Sequence, residues 1–292
     1  MAPMLPTPQV DRARKSANRQ QRLRQLVCSD AHEQALRSQG FRVIAGVDEV
    51  GRGALFGPVV AAAVILPPQP DDLRSMGLTD SKQLSRKQRE ELDARIRAVA
   101  LDLSIAEVDA QTIDSLNIYQ ASRLAMLRAV QQLTLAPDHL LIDALRLDLS
   151  QLTHPCAQTS LNYGDALSLS IAAASVVAKV HRDALMRTLD LLHPHYGLAA
   201  HKGYATSAHR KALLQYGPTP LHRNSFAPVL AVSTRTQLAA TVSSGRLFAE
   251  PADEPSSTPP RNSNAHGSTA NHKPTKANGP TIVGEEEDIS WD

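Results

Sequence analysis

The sequence predicts an α/β domain built on a mixed sheet flanked by helices, and three observations carry that expectation. Residues 43–47 (VIAGV) and 59–66 (VVAAAVIL) are short apolar runs on either side of a glycine turn, the pattern of two buried strands. Residues 139–143 (HLLID) form a third such run and end on an acid, as the first runs into Asp48. Between and beyond these runs, apolar residues recur at helical spacing, so strands and helices alternate along the chain.

The first 40 residues hold seven Lys or Arg against three acids and read as a basic, partly disordered extension. In the first strand, Asp48 and Glu49 interrupt the apolar run. An unpaired ionised carboxylate is costly to desolvate in a central strand, so Asp48 is expected to meet a cation or a metal. The plainer alternative is that both acids mark a strand end and face water. Successive side chains on a strand point to opposite faces, so the pair can serve one site only at a strand edge or from opposite sides of a metal cluster. After the second strand, PPQPDD is a loop and residues 79–82 are a polar turn. Ser85 and Gln88 form a capping-box signal ahead of Leu92, Ile96 and Val99 at helical spacing. Residues 101–108 suit a strand. Residues 118–133, with Leu124, Leu127 and Val130, suit a helix that Pro137 separates from the third run.

Gly164 and Asp165 precede an uninterrupted helical pattern over 170–192, whose small residues Ala172, Ala173 and Ala174 allow close approach to a sheet. That would bring Asp165 near strand ends, although an acid just before a helix is also what an N-terminal cap looks like. Lys179 and Asp183, spaced i, i+4, read as a surface ion pair. Residues 193–226 are dense in His, Lys, Arg, Tyr and Gly. The five histidines there match no common zinc spacing, whereas basic groups beside tyrosines suit phosphate and sugar contact. The plainer alternative is a helical region with a solvated face. Residues 234–292 are poor in core-forming sequence and read as a disordered tail ending in EEEDISWD, which holds the chain's only Trp and is a candidate docking peptide for a protein partner. The organisation is therefore an extension over 1–40, a folded domain over 41–233 and a tail over 234–292.

Residues 41–233 carry 19 basic against 18 acidic residues, so net charge does not mark a nucleic-acid binder. No stretch is long and apolar enough to span a membrane and no secretory signal is visible, which points to a soluble, cytoplasmic protein. Cys28 and Cys156 lie far apart without metal-type spacing and read as reduced thiols.

Asp48, Glu49, Asp143 and Asp165 are acids at three separate element boundaries, each set against apolar sequence. Mg²⁺ binds through a few carboxylates plus substrate phosphate oxygens, and paired ions activate water and stabilise the leaving oxygen of an in-line displacement. Phosphodiester hydrolysis suits this set, and so does a metal site acting on a small phosphate ester. The chain resembles ribonuclease HII, the type 2 ribonuclease H family. The resemblance rests on GVDEVGRG at 46–53, GPVVAAAVIL at 57–66, DSKQLS at 80–85, LLID at 140–143, SIAAASVVAKVHRD at 170–183, HKGY at 201–204 and HRNSF at 222–226.

That resemblance implies a ribonuclease H-like mixed sheet with a helical C-terminal region. It also implies hydrolysis of the RNA strand of RNA–DNA hybrids, including single ribonucleotides embedded in duplex DNA. By the same resemblance Asp48, Glu49, Asp143 and Asp165 are the catalytic acids and bind Mn²⁺ or Mg²⁺. Gly51, Arg52 and Gly53 would read the ribose 2′-hydroxyl through backbone groups, and Tyr204 would pack against the sugar. The chain departs from the family where Ala54 and Phe56 replace a more usual Pro and Ala, Ala144 replaces the usual Gly, and Tyr163 stands where Lys often precedes the Gly-Asp pair. The sister family, ribonuclease HIII, typically has Lys at the position of Arg52 and a folded N-terminal domain, for which 40 residues are too few. Two rival classes are a catalytically inactive hybrid-binding module of the same fold, to which four acids would be useless, and a small-molecule phosphatase, to which HKGY and HRNSF would be useless.

Overall fold

The computed structural model describes residues 26–243, with side chains described over 26–235. Residues 1–25 of the basic extension and the acidic segment around Trp291 lie outside the described residues. Among those described, five strands, β1 (Ile44–Val50), β2 (Val59–Ile65), β3 (Asp102–Val108), β4 (His139–Asp143) and β5 (Ala157–Leu161), form one sheet in the order β3-β2-β1-β4-β5. The first three are antiparallel neighbours, while β4 and β5 run parallel to β1. The helices are α1 (Ala31–Ser38), α2 (Asp71–Ser75), α3 (Arg86–Val99), α4 (Ala110–Leu116), α5 (Ile118–Gln131), α6 (Leu169–Leu192), α7 (Leu198–His201), α8 (Ser207–Tyr216) and α9 (Ala227–Ser243).

Strand β2 is apolar throughout because both of its faces are covered. Val59, Ala61, Ala63 and Ile65 pack with Ala121, Ala125, Met126, Ala129 and Val130 of α5. Val60, Ala62 and Val64 pack with Leu92 and Ile96 of α3 and with Ala172 to Ala174, Val176 and Val177 of α6. Each fully buried Val, Leu, Ile or Met contributes about 1.5–3 kcal/mol, so these two layers rather than helix propensity seat the helices on the sheet. The capping box starts α3, with the Gln88 N–H donating to Ser85 Oγ and the Ser85 N–H to Gln88 Oε1.

Helix α6 comes closest to the sheet at Gly46, where a β-carbon would overlap the backbone of Ser170. The alanine face contributes to that approach, and a glycine on β1 completes it. Its N-terminus is fixed by Ser168, whose hydroxyl accepts from the Ile171 N–H. The buried carboxylate of Glu33 on α1 accepts from Ser168 Oγ at 2.6 Å and from the Ser170 N–H at 3.0 Å. Residues before position 41 are thus bonded into the fold, and at the other end α9 continues past 233 to Ser243, with Val229 and Val232 buried. Among the described residues no helix is long and apolar enough to cross a membrane.

Candidate active site

The parallel pairing of β1 with β4 stops at Val47–Ile142, and β4 ends one residue later at Asp143. Strand β1 runs on to Val50 because β2 still pairs with it through Glu49–Ala61 and Val50–Val60. Asp48 and Glu49 therefore lie inside the strand, not at its interruption, where one neighbour has dropped away. A turn at Gly164–Ala166 follows β5 and delivers Asp165 to the same end of the sheet. Three parallel strands thus finish around four acids, the usual place for a site in sheets of this kind. Asp48 shares the sheet face of Gly46, toward α6, and Glu49 shares that of Val47.

The four acids are electrostatic neighbours. Burial pushes the Asp48 carboxyl well above the usual range, and Asp143, Glu49 and Asp165 push it further, against the Ser175 hydroxyl that bonds it. Glu49 rises to about 7 through burial and Asp143, although Arg52 opposes the rise. Asp165 rises to about 6 through burial, Asp80 and Asp143, opposed by Lys82. Asp143 rises chiefly through burial, while the Gly164 N–H and Lys82 oppose it. Desolvation by burial is the largest and common physical cause, and repulsion from neighbouring carboxylates adds to it.

Each acid presently leans on the protein. Arg52 Nη1 lies 3.3 Å from Glu49 Oε1, Lys82 Nζ lies 3.3 Å from Asp165 Oδ2, and the Gly164 N–H donates to Asp143 Oδ1 at 2.7 Å. Asp165 accepts no helix-capping bond, since Ser168 holds that position. Among the described residues no three His, Cys, Asp or Glu side chains form a ready group for a metal ion as they stand. The donor set nonetheless fits a hard divalent cation in its chemistry: every donor is an oxygen, and Glu49 Oε2 is buried with no hydrogen-bond partner among the described residues.

The glycine turn lies beside these acids, and its two glycines differ. Gly51 has φ +94°, and a β-carbon there would overlap Arg182 Nε, so the fold itself demands glycine. Gly53 is exposed, lies outside the positive-φ region and has nothing within 4 Å of an added β-carbon. Opposite the turn stands Tyr204, half-buried, with Lys179 Nζ 6.0 Å and Arg182 Cζ 5.6 Å from its ring centroid. Ala54 pairs with Tyr204 as an isolated antiparallel bridge, and the Leu55 N–H donates to Gly203 O at 2.8 Å. The structure therefore brings Gly51, Arg52, Gly53 and Tyr204 together with the four acids at one end of the sheet.

The histidine-rich segment behaves differently from its composition. His209, His222 and Arg223 are fully buried, and Tyr196 nearly so. Tyr196 and His222 pack with Phe56, whose ring meets His222 edge-on at 4.8 Å, and His209 packs in turn on Tyr196 and His222. The three basic side chains His209, His222 and Arg223 are interior packing, while His195, Arg210 and Lys211 stay exposed. Phe56, the departure from the usual Ala, fills that core. Ala144 occupies φ +51° and Tyr163 φ +61°, the left-handed region that suits the Gly more usual at Ala144. Lys179 and Asp183 form the expected ion pair at 2.8 Å, more buried than a surface pair.

Sequence reasoning gave no role to Lys82, Ser175, Arg182 or Arg223. Lys82 carried a signal, a cation in a polar turn between two strands. Ser175 and Arg182 carried a weaker one, polar side chains on the apolar face of α6.

Comparison with known proteins agrees with this geometry. A family model described as Ribonuclease HII matches residues 45–229. Ribonuclease HII of Koribacter versatilis (strain Ellin345) is 56% identical over 211 residues, covering 72% of this chain and 80% of that protein. Ribonuclease HII of Bacillus subtilis (strain 168) is 49% identical over 216 residues, covering 74% and 82%. Among solved structures, the ribonuclease H2 from Pyrococcus horikoshii OT3 superposes with a TM-score of 0.59 at 25% identity, covering 67% of this chain and 99% of that one. RNase HII in the PCNA:RNase HII complex from Archaeoglobus fulgidus gives 0.53 at 26%, covering 62% and 91%.

Proposed function

The chain belongs to the ribonuclease HII family, and from that premise we propose that it cuts at single ribonucleotides embedded in duplex DNA, using a two-metal carboxylate site. At the coarser level it is an endoribonuclease that hydrolyses the RNA strand of RNA–DNA hybrids. The observation that carries the finer proposal is the convergence of four mutually repelling acids at the open end of β1, β4 and β5. Asp48, Glu49, Asp143 and Asp165 would hold divalent cations, Mn²⁺ or Mg²⁺. Such cations supply the charge that activates water and stabilises the leaving oxygen of an in-line displacement. Arg52 and Lys82 balance part of the acid charge, and the Lys82 side chain, 79% exposed, is placed to exchange Asp165 for a substrate phosphate.

Discrimination between RNA and DNA at one sugar has only the 2′-hydroxyl to use. The backbone at Gly53 would approach that hydroxyl, and Tyr204 would press on the same nucleotide. The open space above Gly53 supports this role, since nothing in the protein itself requires glycine there. Gly53→Ala should therefore leave the melting temperature unchanged and lower cleavage at a lone ribonucleotide by about tenfold or more.

The deciding experiment incubates the protein with Mg²⁺ and four substrates: a duplex with one ribonucleotide, an RNA–DNA hybrid, an all-DNA duplex and a free phosphate ester. Cleavage of the first two alone supports the proposal. Cleavage of the hybrid but not the lone ribonucleotide overturns its finer part, and binding without cleavage returns the inactive hybrid-binding module. We also propose a protein partner for the acidic segment around Trp291. A chain ending at Ser243 should cut normally while losing that partner in a pull-down, and equal capture by both chains excludes it.

A further inference from the structure

Arg182 and Arg223 are both fully buried, and neither forms an ion pair with an acid among the described residues. Their donors go to backbone carbonyls. Arg182 gives Nε to Pro58 O at 3.0 Å, Nη2 to Phe56 O at 3.2 Å and Nη1 to Lys202 O at 2.9 Å. Arg223 gives Nη1 to Arg52 O at 2.8 Å and Nε to Gly57 O at 3.0 Å, and its own N–H donates to Leu55 O at 2.9 Å. Arg223 Nη2 has no hydrogen-bond partner among the described residues. Every carbonyl accepting from these guanidinium groups belongs either to residues 52–58 or to Lys202, two residues before Tyr204.

Stability is a poor explanation for this arrangement. Desolvation of a cation without a carboxylate is costly, and an apolar side chain of similar volume commonly serves a core as well. Burial, with Arg182 nearby, pulls the Arg223 guanidinium down to about 9. What a guanidinium supplies and an apolar chain cannot is a planar fork of donors with fixed directions. Arg182 uses that fork to span both segments, lies beneath the Tyr204 ring and occupies the space a side chain at Gly51 would need. Arg223 ties the two ends of the turn, Arg52 and Gly57. The junction is tight elsewhere too, since a β-carbon on Gly203 would come within 2.8 Å of Phe56 O.

We infer that Arg182 and Arg223 are positioning residues for substrate discrimination: they set the spacing between the glycine turn and Tyr204, and so the width of the slot that receives the ribonucleotide. This rests on the proposal that the turn and Tyr204 contact that nucleotide. Lysine keeps the charge but offers donors from a single point, so it cannot hold carbonyls on both sides.

The test compares Arg182→Lys and Arg223→Lys with Gly53→Ala, Tyr204→Ala and the Arg182→Lys/Tyr204→Ala double variant, all as full chains with Mg²⁺. Rates on a lone-ribonucleotide duplex and on an RNA–DNA hybrid are measured beside non-specific duplex affinity, at a temperature where each variant is folded. The lysine variants should lose about 10- to 100-fold in kcat on the lone ribonucleotide, with duplex affinity held, because phosphate contacts are untouched. The double variant should be no slower than Tyr204→Ala alone. Normal kcat per folded molecule, or effects that multiply in the double variant, would overturn the inference, as would an Arg182→Lys chain that folds at no temperature. If Gly53→Ala and Tyr204→Ala themselves cut normally, the underlying proposal has failed. If they are impaired and the lysine variants are not, only the positioning role has failed.

Discussion

The acid cluster at the end of β1 and the histidine cluster behind Tyr204 are both crowded with buried titratable groups, and they resolve that crowding in opposite ways. In the histidine cluster the donors and acceptors match. The Thr219 N–H donates to His222 Nδ1 at 2.9 Å, so the ring proton sits on Nε2 and donates to His209 Nε2 at 3.3 Å. His209 Nδ1 then donates to Tyr204 O at 3.0 Å. Two neutral rings satisfy each other, and burial with the neighbouring histidines holds His222 at about 3. In the acid cluster the same desolvation leaves like charges facing one another and one buried carboxylate oxygen without a partner. The difference separates a region finished by its own fold from one that a cation would complete.

The largest test of that contrast is removal of an acid. Asp48→Asn and Asp143→Asn keep the shape but withdraw charge that would hold the ions, worth several kcal/mol in the transition state, and about a thousandfold or more in rate. In chelator the same variants should melt no lower than the parent, since each removes a repelling charge. A variant that cuts near-normally, or one that unfolds, would move these residues into the structural class. Removal of divalent metal from the parent should abolish cleavage in parallel, checked by restoring Mg²⁺ or Mn²⁺.

Titration of stability should sharpen the contrast further. The folded-state values of Glu49, about 7, and Asp165, about 6, are raised above their unfolded values. Their contribution is full below about pH 4 and is lost as pH rises through 6 and 7. His222 and His209 are lowered instead. Below about 6.5 the unfolded chain protonates these rings while the folded protein does not, so stability falls by up to about 1.4 kcal/mol per pH unit per ring. Melting in chelator should thus improve from pH 8 toward 6.5, with the histidines opposing further gain below. With saturating Mg²⁺ the acid-linked improvement should vanish and leave only the histidine-linked decline. Superimposable curves with and without Mg²⁺ would contradict the cation role.

How much of this was legible in the sequence follows the same division. Strand β4 was readable to the residue because an apolar run ended on an acid. Helices α3 and α5 were readable from helical spacing, and α3 also from its capping box. The alternation of β2 between two cores appeared only as an apolar run, which does not say what covers each face. Strand β5, with Gln158, Thr159 and Ser160, carried too little apolar signal to be seen; the alanine face after Asp165 pointed that acid toward strand ends without saying which, and the burial of Glu33 has no local sequence signature. The acids themselves stood out because charge against apolar sequence is conspicuous. Arg223, His209 and His222 misled within the basic stretch for the complementary reason, and Arg182 went unread: polar residue types suggest surface, and their satisfaction by carbonyls or by one another depends on contacts across the fold.

The smallest effect is expected at Ala144, which follows Asp143 at φ +51°. A left-handed conformation costs a residue with a β-carbon roughly 1–2 kcal/mol, and glycine avoids it while losing part of the gain to its freer unfolded state. Ala144→Gly should therefore stabilise the protein by about 1 kcal/mol, a rise of roughly 2–4 °C in Tm. Within the contrast drawn above, this locates strain on the acid side of the molecule. If strain at Ala144 helps aim the Asp143 carboxylate, relief should also slow cleavage, because the Leu145 N–H donates to Asp143 O at 2.6 Å across that residue and the turn would relax. If it is a tolerated substitution, Tm rises and the rate is unchanged. Measuring both on one preparation decides between the two, and a fall in Tm would show that the left-handed turn at Ala144 is not strained.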